Sequence, residues 1–260
     1  MRLPIYQVDA FAARVFAGNP AAVMPLESWL PDPTLHAIAA ENNQSETAFF
    51  VANGADWDLR WFTPKVEVDL CGHATLASAW VIFTHIRPDA TELCFNTRSG
   101  QLRVSRDGDL LVLDFPARVP TPCAPPPHLA QMLGVTPAEV LISRDLVVVL
   151  DSAEQVRTLT PDLDAIAKLD VFAVMVTAPG DDGCDFVSRF FAPAKGIPED
   201  PVTGSAHCAL VPYWSKRLGK TDLLARQVSA RGGELQCRLV GDRVALAGRA
   251  VPYMEGVVTL

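Results

Sequence analysis

"DLCGHATLASAW" (residues 69–80) and "DPVTGSAHCALVPYW" (residues 200–214) open alike: an acidic residue, a short turn, a glycine, then an apolar helix. Working outward, "LRWFTP" (59–64) precedes the first stretch and "SRFFAP" (188–193) precedes the second. This sets Arg60 over Arg189, Phe62 over Phe191 and Pro64 over Pro193. Further upstream "PDPTLHAIAA" (31–40) corresponds to "PDLDAIAKLD" (161–170), each followed by an apolar strand, "TAFFV" and "VFAVMV". The offset stays close to 130 residues at all three landmarks. One order at one offset predicts two similar domains related by a pseudo-twofold axis.

The seam is the proline-rich stretch "FPARVPTPCAPPPHLAQMLGVTP" (115–137), which can continue neither a helix nor a central strand. The expected division is an N-terminal domain over 1–116, a linker over 117–129 and a C-terminal domain over 130–260, with the last strand free to pair with the N-terminal domain. In the first half, Asp32 and Pro33 read as N-cap and first residue of a helix, and "DWDLRWF" (56–62) alternates as a strand. Helices are expected from Gly72 to His85 and from Gly204 to Leu218, the second stopped by Gly219. The tail 227–248 reads as strands joined by Gly-Gly and Gly-Asp turns. Strands and helices alternate without a regular βαβ rhythm, so the fold class is α+β with curved, mostly antiparallel sheets.

The chain of 260 residues carries a net charge of -8, which argues against nucleic acid or an anionic membrane as partner. Its longest apolar stretch, "ATLASAWVIF" (74–83), is too short to span a bilayer, and the start has no basic segment followed by an apolar one. Six scattered cysteines without a C-x-x-C pair suit reduced thiols in the cytoplasm.

Glycine at each helix start exposes backbone N–H groups and the positive end of a helix dipole. Two such turns, around Gly72 and around Thr203, Gly204 and Ser205, would bind a small carboxylate in an interdomain cleft. Acid–base candidates are Glu46, His73, Asp200 and Cys71. Glu46 stands just before the apolar run "TAFFVA", where an unpartnered carboxylate must find a partner or take up a proton. His73, at a helix start, is expected to be pushed towards neutral imidazole by the dipole. Asp9 and Asn19 could touch a ligand or only hold a turn, and the turn is the preferred reading. "TGSAH" lacks the G-x-S-x-G elbow of a hydrolase, a His73–His207 metal pair lacks obvious further ligands, and no nucleotide-binding glycine motif is present.

Four ordered stretches, "VFAGNPAAV" (15–23), "NQSETAFF" (43–50), "DLCGHATLASAW" and "EDPVTGSAHC" (199–208), resemble the PhzF-like isomerase family of phenazine biosynthesis over nearly the whole chain. The resemblance implies the diaminopimelate epimerase-like fold, two pseudo-symmetric domains each with a curved sheet around a central helix. It implies a cofactor-free, metal-free isomerase that acts on a small carboxylate-bearing metabolite and forms a homodimer. Carried onto this sequence, the proton-shuttling Glu is Glu46, with His73, Asp200 and Ser205 around the substrate. Amino-acid epimerases of the same fold oppose two thiols, each before a helix-opening glycine. Here Cys71 fills one place but Thr203 the other, and a hydroxyl cannot act as the opposing base. Two alternatives stand beside the single-carboxylate shuttle: an epimerase pairing Cys71 with Glu46, and a ligand-binding protein without catalysis.

Overall fold

The structure is a computed structural model describing residues 1–260. Its contacts divide the chain into a first unit, Met1–Asp114 with Ala247–Leu260, and a second unit, Phe115–Leu246. The first contains β1 (Arg2–Ala10), β2 (Asn19–Leu26), α1 (Asp32–Asn42), β3 (Glu46–Asn53), β4 (Asp56–Phe62), β5 (Glu67–Val68), α2 (Gly72–Val81), β6 (Glu92–Thr97) and β7 (Gly100–Asp107). Strand β8 (Leu110–Pro116) carries the chain into the second unit. There follow β9 (Thr121–Pro122), α3 (Leu129–Leu133), β10 (Glu139–Ile142), β11 (Leu146–Val149), α4 (Ala153–Thr158), α5 (Leu163–Ile166) and β12 (Val174–Pro179). The unit continues with β13 (Phe186–Ala192), β14 (Ile197–Asp200), α6 (Gly204–Leu218), β15 (Asp222–Gln227), β16 (Gly233–Val240) and β17 (Arg243–Gly248), whose last two residues return the chain to the first unit. Strand β18 (Ala250–Thr259) then pairs antiparallel with β1 and completes the first unit.

The repeat read from the sequence is a repeat of strand pairing. In the first unit β2 pairs parallel with β3, β3 antiparallel with β4, β4 antiparallel with β5 and parallel with β6. In the second, β11, β12, β13, β14 and β15 follow the same sequence of parallel and antiparallel pairs. Parallel neighbours need a crossover, which α1 and α2 supply in one unit, and α4 with α5, then α6, in the other. Most remaining pairs are antiparallel, as expected for the α+β class. Helix α2 is buried on nearly every side and packs on β1, β2 and β3, while α1 lays Leu35, Ile38 and Ala39 against Met24, Phe49 and Phe62. A helix apolar all round has to lie inside, and α2 does.

Several local expectations are modified. The proline-rich segment is no free linker: Thr121–Pro122 pairs with Leu141–Ile142 inside the second unit, because proline lacks only the donor and its carbonyl still accepts. Pro31, not Asp32, occupies the N-cap of α1, and the Asp32 carboxylate turns to Arg60 at 2.9 Å. After Val81 the expected α-helix widens into a π turn, Ile82–Ile86, closed by Arg87 N donating to Ile82 O at 2.7 Å. Helix α6 runs over the expected residues, stopped by Gly219 at φ 69°, despite Pro212 in its interior. Proline cannot donate to the Cys208 carbonyl four residues back; Arg118 N takes that place at 2.8 Å.

Both units also repeat a clasp. Arg60 binds Glu67 in a bidentate fork, both contacts 2.8 Å, and Arg189 binds Glu199 at 2.7 and 2.9 Å. Each guanidinium lies 5.0 Å over a phenylalanine ring two residues on, Phe62 or Phe191. Behind each clasp a serine hydroxyl holds the turn: Ser99 donates to Asp69 O and Ser229 to Pro201 O, both at 2.8 Å. Clasp and strap together fix where the following helix begins.

Candidate active site

Glu46 opens β3, paired beside Ala21, and His73 is the second residue of α2, which packs on that strand. The packing brings Glu46 Oε2 to 3.1 Å from His73 Nε2, with 8 % and 4 % of the two residues exposed. On the other side of the ring, Asn19 Nδ2 lies 3.1 Å and Cys71 Sγ 3.5 Å from Nδ1. Asn19 begins β2, so it is more than a turn residue. Asp9 does serve the turn, accepting from Phe16 N at 2.9 Å. The loop between them is strained, with Phe11, Phe16 and Gly18 all at positive φ.

The electrostatics correct one sequence expectation. The helix dipole offers about 1 kcal/mol against a charged histidine at α2. A carboxylate at 3.1 Å offers a gross attraction of about 5 kcal/mol at an effective dielectric of about 20. Burial works against the imidazolium, but Cys71 and Glu46 together outweigh it, and His73 is held well above its ordinary value. The thiol moves the other way for an acid: burial first, then the Glu46 charge, push Cys71 up to about 11. At neutral pH the thiol is protonated, and the Glu46 carboxylate draws the imidazole towards its charged form.

The second turn is built by different residues. Thr203 caps α6, yet its hydroxyl donates to Asp200 Oδ2 and its N–H to Gln227 Oε1 at 2.8 Å. Gln227 Nε2 reaches Asp200 O at 2.7 Å and Thr203 Oγ1 at 3.1 Å, so one buried amide pins the whole turn. Thr203 is therefore committed internally and has no donor left for a ligand, contrary to the sequence expectation. Gly204, with the half-buried Ser205 after it, begins the helix with its backbone N–H groups unpaired by helical geometry. One turn further on, the fully buried His207 places Nδ1 2.8 Å from Thr203 O, while Nε2 has no partner.

Of the sequence candidates, then, Glu46, His73, Gly72 and Cys71 converge in the first unit. Asp200, Thr203, Gly204 and Ser205 gather around the second turn. Sequence reasoning missed Gln227 and the clasp acids. The latter had a signal, since Glu67 and Glu199 each stand five residues before a helix-opening glycine. Gln227 had none: its role follows from β15 ending beside the turn.

Comparison with known proteins places this architecture. The profile of the phenazine biosynthesis-like protein family, PhzC-PhzF, matches residues 8–256. A Pseudomonas aeruginosa protein described as an uncharacterized isomerase is 54% identical over 260 residues, covering 100% of both chains. The crystal structure of a PhzF-family phenazine biosynthesis protein from Enterococcus faecalis superposes with a TM-score of 0.97 at 48% identity, covering 100% of both chains. A hydroxyproline epimerase from Agrobacterium vitis, 13% identical, shares the fold with a TM-score of 0.63 over 99% of this chain and 92% of its own. The chain belongs to the phenazine biosynthesis-like PhzF family and, as an enzyme, to the isomerase/epimerase class.

Proposed function

We propose that this protein is a cofactor-independent proton-transfer isomerase, with Glu46 taking a proton from one carbon of a small carboxylate-bearing metabolite and returning it to another. The observation that carries the reading is the Glu46–His73 pair. A nearly buried carboxylate stands at the mouth of a strand, 3.1 Å from an imidazole at the start of the central helix. General acid–base catalysis needs a group in fixed orientation that can change protonation state within the cycle. His73 is the positioning residue, fixed in turn by Asn19 and Cys71. The electron pair released with the proton spreads into the substrate's conjugated carboxylate, and the backbone N–H groups at the start of α2, beside Gly72, stabilise the charge. Asp200 serves by holding Thr203 and the second turn.

The epimerase alternative is less well supported. Acid and base must flank one carbon from opposite faces, whereas the ligand atoms of Cys71 and Glu46 lie within 4.8 Å of each other around one imidazole. That proximity suits partners on one side of a substrate. Family membership supports a homodimer, and six free cysteines suit a reducing compartment such as the cytoplasm.

The test incubates wild type and Glu46→Gln with small unsaturated and amino carboxylates in D2O, following retention time and deuterium by mass detection. A shifted or deuterated product, lost by a factor of about 10² to 10⁴ in Glu46→Gln, is the expected result. Equal turnover in both proteins would remove Glu46 from the chemistry. Binding without turnover would favour the ligand-binding alternative.

A further inference from the structure

One thiol, one imidazole and one carboxylate meet at a single point of the first unit. Cys71, His73 and Glu46 each offer one ligand atom, all within 4.8 Å of one another, and all three residues are buried. His73 Nε2 is 3.1 Å from Glu46 Oε2 and 3.9 Å from Cys71 Sγ. Tetrahedral zinc with ordinary bond lengths sets nitrogen and oxygen ligands about 3.4 Å apart and nitrogen and sulfur about 3.6 Å apart. These two separations fall within a few tenths of an ångström of the tetrahedral values, and the third pair, Cys71 Sγ and the Glu46 carboxylate, lying within 4.8 Å, closes by up to about 1 Å onto the ion. We propose that Glu46, Cys71 and His73 form a three-ligand site for Zn2+, and that its occupation switches the protein off.

The donor set selects the metal. Mg2+ and Ca2+ want oxygen ligands, whereas a thiolate with an imidazole favours zinc among the divalent cations of ordinary cells. Three protein ligands leave the fourth position to water, and with its amide turned to present Oδ1, Asn19 beside Nδ1 accepts the ring N–H and orients the ligating imidazole. Entry of the ion forms Zn–S, Zn–N and Zn–O bonds and releases the thiol and imidazolium protons to solvent, so no oxidant or reductant is involved. The sequence pairing of His73 with His207 missed this set, because Glu46 reaches the site through the fold. Inhibition rests on the role of Glu46 proposed above, since a metal-bound carboxylate cannot carry a proton. Binding of the ion does not.

Co2+ serves as the spectroscopic probe of the site. Titrated into wild type, it should give one equivalent of a thiolate-to-cobalt charge-transfer absorption, with the strong visible bands of four-coordinate cobalt, and Zn2+ should abolish both. Cys71→Ser should lose the charge-transfer band, and Glu46→Gln should weaken Zn2+ binding at least tenfold in a chelator competition. A Cys94→Ser/Cys123→Ser double variant, lacking the two more accessible thiols, should behave as wild type. Should Cys71→Ser fail to fold, Glu46→Gln and protection of the wild-type Cys71 from alkylation by Zn2+ decide the matter. Absence of the charge-transfer band in wild type, its persistence in Cys71→Ser, or its loss in the double variant overturns the proposal. Zinc bound with those signatures but without effect on the D2O assay would leave the site standing and overturn the role of Glu46.

Discussion

Acidification from pH 7 to pH 5 should remove about 2 kcal/mol of stability through a single side chain, His207. The imidazole is fully buried on α6, with Nδ1 donating to Thr203 O at 2.8 Å and the Phe186 ring 5.8 Å away. A second proton would land on Nε2, where no acceptor is present. Burial therefore pushes His207 from its ordinary 6.5 down to about 4, only partly opposed by the Thr203 carbonyl. With the folded value depressed, the unfolded chain binds the extra proton first. The contribution is complete above pH 6.5, falls by about 1.4 kcal/mol per pH unit below it, and levels off near pH 4 at a total of about 3 kcal/mol. Urea unfolding of wild type and His207→Asn across pH 7.5 to 4.5 measures it. Asparagine can still donate to Thr203 O but does not titrate, so the other acid-sensitive groups cancel in the difference. The two curves should converge by about 2 kcal/mol between pH 7 and pH 5. A difference that stays constant over that range would refute the argument.

Other expected outcomes follow from named contacts. Glu46→Gln removes the anion beside His73, so the imidazole, followed by NMR, should lose its proton at a lower pH than in wild type. Arg189→Lys loses the bidentate fork to Glu199 and the bond to Leu159 O, and should cost about 2 kcal/mol in chemical denaturation. Arg103→Ala, breaking an exposed pair with Glu92, should leave the midpoint of chemical denaturation unchanged. Gly18→Ala places a Cβ 2.2 Å from Ala10 O at φ 67°, and should destabilise by about 3 kcal/mol or more while displacing Asn19 from His73. Gln227→Leu removes the acceptor of Thr203 N and a donor to Asp200 O in a buried turn, at about 2 to 3 kcal/mol.

What the sequence determined by itself is the duplication and the class of fold. Arg-x-Phe before a turn, a glycine at a helix start and an apolar helix behind it are local patterns, and they recur at one offset whether or not the chain is folded. Helix α6 was legible to the residue because Gly219 ends it through a backbone preference that needs no tertiary partner. Tertiary structure decided the site. Glu46 and His73 stand 27 residues apart, and only the packing of α2 on β3 makes them neighbours. The sign of the His73 shift went against the helix-dipole argument because a carboxylate at contact outweighs partial charges spread over a helix end. Gln227, Asn19 and the clasp acids work by reaching other segments, and Thr203 lost its expected donor to Asp200 in the same manner. Short-range steric and hydrogen-bond preferences are written in neighbouring residues. Electrostatic environment and hydrogen-bond commitment belong to whatever the fold brings within a few ångströms.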